Sequence, residues 1–341
     1  MGLAHPFAVP MRSMTSTLRP LLFLALGAGC SAPWLDHRTD GRLERELLGL
    51  TAKGLAIAQS NGASGLRIRF FDGRIQQRLL SCCFPAASVR ITGGMSIAMV
   101  DSSAWPRAKA PIDPMSFPPL FAQVVLLSSQ GAEIKRSVLR ISSGVAVVAP
   151  DGASFAFIGS PFGEIRSPNG VYVAAFGDET AAMLTEVTSP PAVGFVDPAS
   201  FPDLDWSPNS EHLLFSNGAQ IVDIDVRTSL GRQIARGGRA RWSPLGDKIS
   251  YLSESDEATI LDLGTGKSTT IDEGKKSGRP VEWSPDGRYL LISETEGSHV
   301  PYGCLWIYRV SDRSWFPVLH YGTAGPPPQW IQLADRSKTG G

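Results

Sequence analysis

Three charged residues occupy one fixed place in the chain. Asp205, Arg241 and Glu282 each stand directly before the tryptophan of a repeated Trp-Ser-Pro segment. Acids and a guanidinium gathered this way could bind a partner or ligand, or could spend their charge on one another in a salt-bridge network. Asp203 adds a further carboxylate two places before Asp205. Such carboxylates suit a hard cation, but Arg241 in the segment between opposes one. Gly264-Thr265-Gly266-Lys267-Ser268 ends like a phosphate-binding loop, yet the glycine required five places before Gly266 is Leu261. The Ser268-Thr269-Thr270-Ile271 stretch that follows reads as a strand, not as the helix whose N–H groups meet phosphate, so the segment is a turn. The chain has no Gly-x-Ser-x-Gly elbow and no His-Glu-x-x-His pair. The histidines at 5, 37, 212, 299 and 320 are scattered, and His212 falls where Lys248 and Tyr289 fall in the sister segments, an exposed strand position. Cys82, Cys83 and Cys304 lack zinc spacing. No catalytic residue, metal or cofactor is assigned.

The elements that must position these residues form an internal repeat. Trp206-Ser207-Pro208-Asn209-Ser210, Trp242-Ser243-Pro244-Leu245-Gly246 and Trp283-Ser284-Pro285-Asp286-Gly287 align without gaps, 36 and 41 residues apart. Ala149-Pro150-Asp151-Gly152 is a fourth copy and Gly93-Gly94 a degraded fifth. Proline fixes φ for the turn, and Asp-Gly or its equivalent supplies the reversal. An apolar strand follows each copy, as at Leu213-Leu214-Phe215, Ile249-Ser250-Tyr251 and Leu290-Leu291-Ile292. A second hairpin completes each unit, with turns at Arg227-Thr228-Ser229, Gly264-Thr265-Gly266 and Ser311-Asp312-Arg313, and earlier at Asp72-Gly73, Gln130-Gly131 and Gly177-Asp178. Units of four short strands and about 40–45 residues are propeller blades, which must stack around an axis to bury both faces. The expected fold is all-β: a six-bladed β-propeller of four-stranded antiparallel blades over residues 49–334.

The first unit has no Trp-Pro turn, while Pro327-Pro328-Gln329-Trp330-Ile331 resembles the start of another inner strand with nothing after it. Residues 328–334 are therefore expected to supply the inner strand of the first blade, closing the ring and removing its open edges. Trp206, Trp242, Trp283 and Trp330 share one column, which points to packing between blades rather than to an aromatic ligand platform. Cys82-Cys83 ends the first blade and Cys304 opens a strand of the last, so a disulfide across this seam and three buried thiols both remain open.

The Trp-Ser-Pro-Asp-Gly-Arg stretch at 283–288 and its copies resemble TolB-like propeller repeats, which are related to WD-type repeats. The resemblance is specific over about 200–330 and weak over 50–145. The distance from Cys30 to Leu50 leaves no room for the N-terminal α/β domain of TolB, so it covers the propeller alone. It implies an envelope protein that binds other proteins, and it transfers no catalytic residue. Six-bladed hydrolases and lactonases often hold a metal on the axis with acids from several blades. Asp203, Asp205 and Glu282 would serve here, with Arg241 against them.

Arg12 and Arg19, the apolar run from Leu21 to Ala28 and the small residues before Cys30 make residues 1–30 an export signal. The apolar run is about half the ~20 residues that span a bilayer. Met1, Met11 and Met14 are alternative starts. The segment resembles a bacterial lipoprotein signal with Cys30 as the lipidated residue; an ordinary cleaved signal is the alternative. With Ser31 and Ala32 after the cysteine, the resemblance implies the periplasmic face of a Gram-negative outer membrane. Residues 31–48 read as a tether with a short helix at Leu43 to Leu48, and 335–341 as a tail. The 341 residues carry 32 basic and 32 acidic side chains, which excludes a bulk electrostatic partner such as nucleic acid. The 43% apolar content supports a packed core, and 35 glycines with 26 prolines fit a turn-rich β protein. The expected function is that of a non-catalytic, monomeric, protein-binding envelope scaffold touching the membrane only through Cys30. A metal-dependent propeller hydrolase or lactonase, or a small-ligand or glycan sensor, are the alternatives.

Overall fold

The computed structural model describes residues 41–52, 54–60, 65–71, 74–79, 89–92, 96–101, 121–128, 133–161, 169–187, 203–271, 279–295, 302–322 and 329–332. Cys30, Cys82, Cys83, His5, His37 and His299 lie outside these residues, and so do the expectations about a lipid anchor and a disulfide.

A helix, α1 (Gly41–Ala52), comes first. It is twice the length expected from Leu43 to Leu48 and begins inside the stretch read as tether. Leu47 and Leu50 fall on one side and are buried, and the helix ends at Gly54, which takes φ +83 and donates its N–H to Thr51 O. Strands follow in runs. The first holds β1 (Leu55–Ser60), β2 (Gly65–Arg69) and β3 (Ile75–Leu79). The second holds β4 (Val89–Thr92), β5 (Ser96–Asp101), β6 (Phe121–Ser128) and β7 (Glu133–Arg136). The third holds β8 (Ile141–Val148), β9 (Ser154–Pro161), β10 (Gly170–Ala175) and β11 (Ala182–Glu186). The fourth holds β12 (Asp203–Trp206), β13 (His212–Ser216), β14 (Ile221–Asp225) and β15 (Gly231–Ala235). The fifth holds β16 (Gly237–Trp242), β17 (Lys248–Ser253), β18 (Ala258–Asp262) and β19 (Ser268–Thr270). The sixth holds β20 (Arg279–Trp283), β21 (Tyr289–Thr295), β22 (Tyr302–Arg309) and β23 (Ser314–Gly322), and β24 (Gln329–Gln332) comes last.

All pairing is antiparallel and, apart from β6 with β8 and β24 with β1, joins strands adjacent in the chain, as in a propeller. The fourth, fifth and sixth runs are separate four-stranded sheets. The second and third runs share one eight-stranded sheet, joined by a short β6–β8 contact at Phe121↔Ser142 and Ala122↔Ile141. The C-terminal β24 leaves the end of the chain to pair with β1, with Leu55↔Gln332 and Ile57↔Trp330 in register. This is the closure expected from Trp330. The first strands of the runs, with β24 serving the first run, touch in the cyclic order β24, β4, β8, β12, β16, β20 and back to β24.

The core lies between the runs. One cluster joins Val147 and Ile158 of the third run to Leu204, Trp206 and Phe215 of the fourth. Another joins Leu214 and Ile221 of the fourth to Ala240, Ile249 and Tyr251 of the fifth. A third joins Tyr289 and Ile307 of the sixth to Ile57 and Trp330, with Leu47 and Leu50 of α1. A sheet buried on both faces needs continuous apolar strands rather than alternating ones, which explains runs such as Leu290-Leu291-Ile292. The fourth and fifth runs are joined by the single residue Arg236, and Gly237 then lies so close to β17 that an added Cβ would sit 2.0 Å from Leu252 O. At φ +131 this position admits glycine alone.

Candidate functional site

The repeat turn is built by a buried serine. Ser207, Ser243 and Ser284 accept, at Oγ, the backbone N–H five residues on, from His212 (2.9 Å), Lys248 (3.1 Å) and Tyr289 (2.9 Å). Each hydroxyl then donates to a turn side chain: Asn209 (2.6 Å), Asp247 (2.8 Å) and Asp286 (2.6 Å). In the fifth run the acid has moved two places, from the position of Leu245 to Asp247, and the bond survives. The fourth residue of each turn, Gly152, Ser210, Gly246 or Gly287, takes a left-handed φ of 62–73. The turns also abut one another. A Cβ on Gly246 would sit 3.4 Å from Pro208 Cγ, and one on Gly287 3.4 Å from Pro244 Cγ. The repeat prolines Pro208 and Pro244 thus do two jobs, fixing the turn and filling the junction with the next.

This turn holds the innermost strand so that alternate side chains face opposite neighbours. Leu204 and Trp206 face back into the cluster with the third run, and the Trp206 indole donates to Val147 O (3.2 Å). Asp205 faces forward, where its Oδ2 accepts the backbone N–H of Trp242 (2.7 Å). Glu282 repeats the arrangement two junctions later: its Oε2 accepts the backbone N–H of Trp330 (2.9 Å). Each acid therefore satisfies the inward N–H at the open edge of the next innermost strand. Arg241 holds the same place in the run between and is itself a donor. Its Nη2 pairs with Asp203 Oδ2 at 2.5 Å and its Nη1 donates to Ala240 O (2.8 Å).

The Arg241 and Asp203 side chains keep 15% and 19% exposure, so the pair is largely out of water. Burial works against the charged guanidinium. The fields of Asp203, Asp205 and Glu282 outweigh it and push the Arg241 pKa above its ordinary value. The structure thus gathers all four charged residues singled out in the sequence, and each has a partner on its own or a neighbouring strand. Among the described residues no group of three or more His, Cys, Asp or Glu is placed to hold a metal ion. Among them, too, no helix is long and apolar enough to cross a membrane.

The other sequence candidates separate. Gly264 to Lys267 form the turn between β18 and β19, capped by Asp262 Oδ1 on the Thr265 N–H (2.9 Å). His212 is half-buried rather than exposed, with Nδ1 3.0 Å from Asp223 Oδ1. The backbone of Cys304 lies in β22 opposite Glu294 and His320. The serine of the turn was not foreseen, although its presence in all three tryptophan copies was the available signal.

No family model matches the chain, and no curated protein matches it. Solved structures do. TolB from Acinetobacter baumannii superposes with a TM-score of 0.53 at 17% identity, covering 81% of this chain and 66% of that one. A protein assigned as TolB from Agrobacterium tumefaciens superposes with a TM-score of 0.51 at 11% identity, over 80% and 90% of the two chains. An oligogalacturonate lyase in complex with manganese aligns at a TM-score of 0.44 and 9% identity, over 78% and 72%. The chain thus spans about two thirds of the length of the A. baumannii protein. The fold is a TolB-like β-propeller.

Proposed function

We propose that this protein is an exported envelope component that works by binding another envelope protein through its propeller, without catalysing a reaction. The observation that carries the reading is the commitment of the axial carboxylates. Asp205 and Glu282 hold the strand edge of the following unit, and Asp203 holds Arg241. A catalytic or metal-binding axis needs acids directed at the ligand, whereas these join the scaffold to itself. The TolB-like fold supports the same reading by analogy of architecture. Export rests on residues 1–30, and attachment to the outer membrane on lipidation of Cys30, with the propeller held in the periplasm as a monomer. The hydrolase, lactonase and ligand-sensor alternatives gain no support from the axis, where Arg241 stands among the acids.

The test is affinity capture. The full chain, carrying a C-terminal tag, is expressed in its host and crosslinked, and the envelope is solubilised in detergent. The expected result is one protein recovered in stoichiometric amount and lost when an unrelated tagged lipoprotein is used. Recovery of no protein above that control would overturn the scaffold reading. Radiolabelled palmitate incorporated by the wild type and absent from Cys30→Ala is the expected result for the anchor; equal labelling would remove it.

A further inference from the structure

We propose that α1 is a strap that locks the closing seam of the propeller, received by a turn of the sixth run in which an arginine stands where its sisters carry an aspartate. The third strand of the fourth run ends at Asp225 and that of the fifth at Asp262. Each of these acids caps its own turn, Asp225 Oδ1 accepting the Thr228 N–H (2.8 Å) and Asp262 Oδ1 the Thr265 N–H (2.9 Å). In the sixth run the equivalent strand ends at Arg309, and the place of the threonine is taken by Asp312. The backbone of the turn is the same. Ser229, Gly266 and Arg313 all have a left-handed φ and donate to the carbonyl four residues before them.

The exchange gives the turn a second partner. Arg309 Nε and Nη2 close it on Asp312 (2.8 and 2.5 Å), while Nη1 donates to Glu46 Oε2 of α1 (2.6 Å), 263 positions away. Arg288, in the repeat turn of the same run, pairs with the other oxygen of Glu46. An aspartate in the place of Arg309 would repel Glu46. The exchange therefore singles out the last run as the docking place. Below the ion pairs, Leu47 and Leu50 enter the cluster that contains Tyr289 and Trp330, and Thr51 Oγ1 accepts the Phe71 N–H (3.1 Å). The helix so touches both sides of the seam that β24 and β1 close. A 12-residue helix is too short to persist alone in water, so undocking and unfolding of α1 are one event. Because Leu47 and Trp330 share one cluster, that event also loosens β24.

The experiment is amide exchange read by mass spectrometry on the full chain. Arg309→Asp combined with Asp312→Thr rewrites the turn in the sequence of its sisters, preserving the reversal while removing the strap's anchor. The expected result is a loss of protection of about tenfold or more in α1 and in residues 329–332, with β17 and β18 unchanged. Glu46→Gln leaves the turn untouched and should loosen the same two segments to a smaller degree, which keeps the test open if the double variant folds poorly. Undiminished protection of α1 in Glu46→Gln would overturn the strap. Loss in α1 with full protection retained at 329–332 would overturn its coupling to the seam.

Discussion

Asp205 Oδ2 accepts the backbone N–H of Trp242 at 2.7 Å, across 37 positions of sequence and from one strand run to the next. The bond joins a half-buried carboxylate to a backbone donor of the next innermost strand. Asp205→Ala leaves that N–H unsatisfied, and the expected loss is about 2 kcal/mol, in the range for hydrogen bonds to charged groups. Asp205→Asn keeps an acceptor oxygen and should lose less than half of that. Urea unfolding of the two variants measures the difference. Equal stability of Asp205→Ala and the wild type would show that the junction does not use the bond.

Trp330 is 1% exposed and lies between Tyr289, with ring centroids 6.4 Å apart, and Phe71 at 5.7 Å. Removing its side chain empties the seam where the chain closes on itself. Trp330→Ala is expected to cost about 3–5 kcal/mol, the range for large aromatic deletions in a core. Differential scanning calorimetry should place its melting several degrees lower. Removal of residues 327–341 should lower it further, because β1 then loses its pairing partner. A truncated chain that melts with the wild type would refute the closure.

Ser284 is fully buried, and its hydroxyl accepts from Tyr289 N–H and donates to Asp286. Ser284→Ala should cost about 1–2 kcal/mol, as for other buried hydroxyl caps. Asp286→Ala removes only the exposed end of the same chain of bonds and should cost clearly less. Chemical denaturation of both variants separates the contributions, and a larger effect from Asp286 would reverse this ordering.

The Arg309 side chain holds the pKa of Asp312 down, to about 2 from an ordinary 3.8, with help from the Ser314 hydroxyl and N–H. A carboxylate whose pKa is lower in the folded state stabilises the fold above its unfolded pKa and ceases to as it is protonated. The contribution of Asp312 is therefore complete above about pH 5 and is lost between about pH 4 and 2. Asp225, Asp247 and Asp262 shift in the same direction, the first and third because Thr228 and Thr265 donate to them, while for Asp247 the bonds from Lys248 and Ser243 outweigh burial. Stability should accordingly fall below pH 4, and Asp312→Asn should flatten part of that fall. A pH–stability curve of unchanged shape in Asp312→Asn would contradict the assignment.

The repeat was legible because turn chemistry and strand chemistry recur together: Trp-Ser-Pro, a small or polar residue, then an apolar run. The destination of Trp330 was legible too, since a fourth tryptophan in the column with no strands after it had to belong to the first run. The donor that Asp205 and Glu282 each meet was not legible. It is the backbone N–H of a strand in the next run, and a backbone donor leaves no mark in composition or motif. The docking of α1 was hidden for a different reason. Glu46 and Arg309 are 263 positions apart, and the exchange of Asp for Arg at 309 becomes visible only when the turns at 225–228, 262–265 and 309–312 are laid side by side.

The most direct test of the account is a calorimetric titration of calcium into the metal-stripped full-length protein. If Asp203, Asp205 and Glu282 serve to join strands and balance Arg241, no stoichiometric binding stronger than about 1 mM should appear, and Glu282→Gln should give the same trace. A one-site isotherm in the micromolar range that disappears in Glu282→Gln would contradict the account and return the axis to the metal-dependent reading.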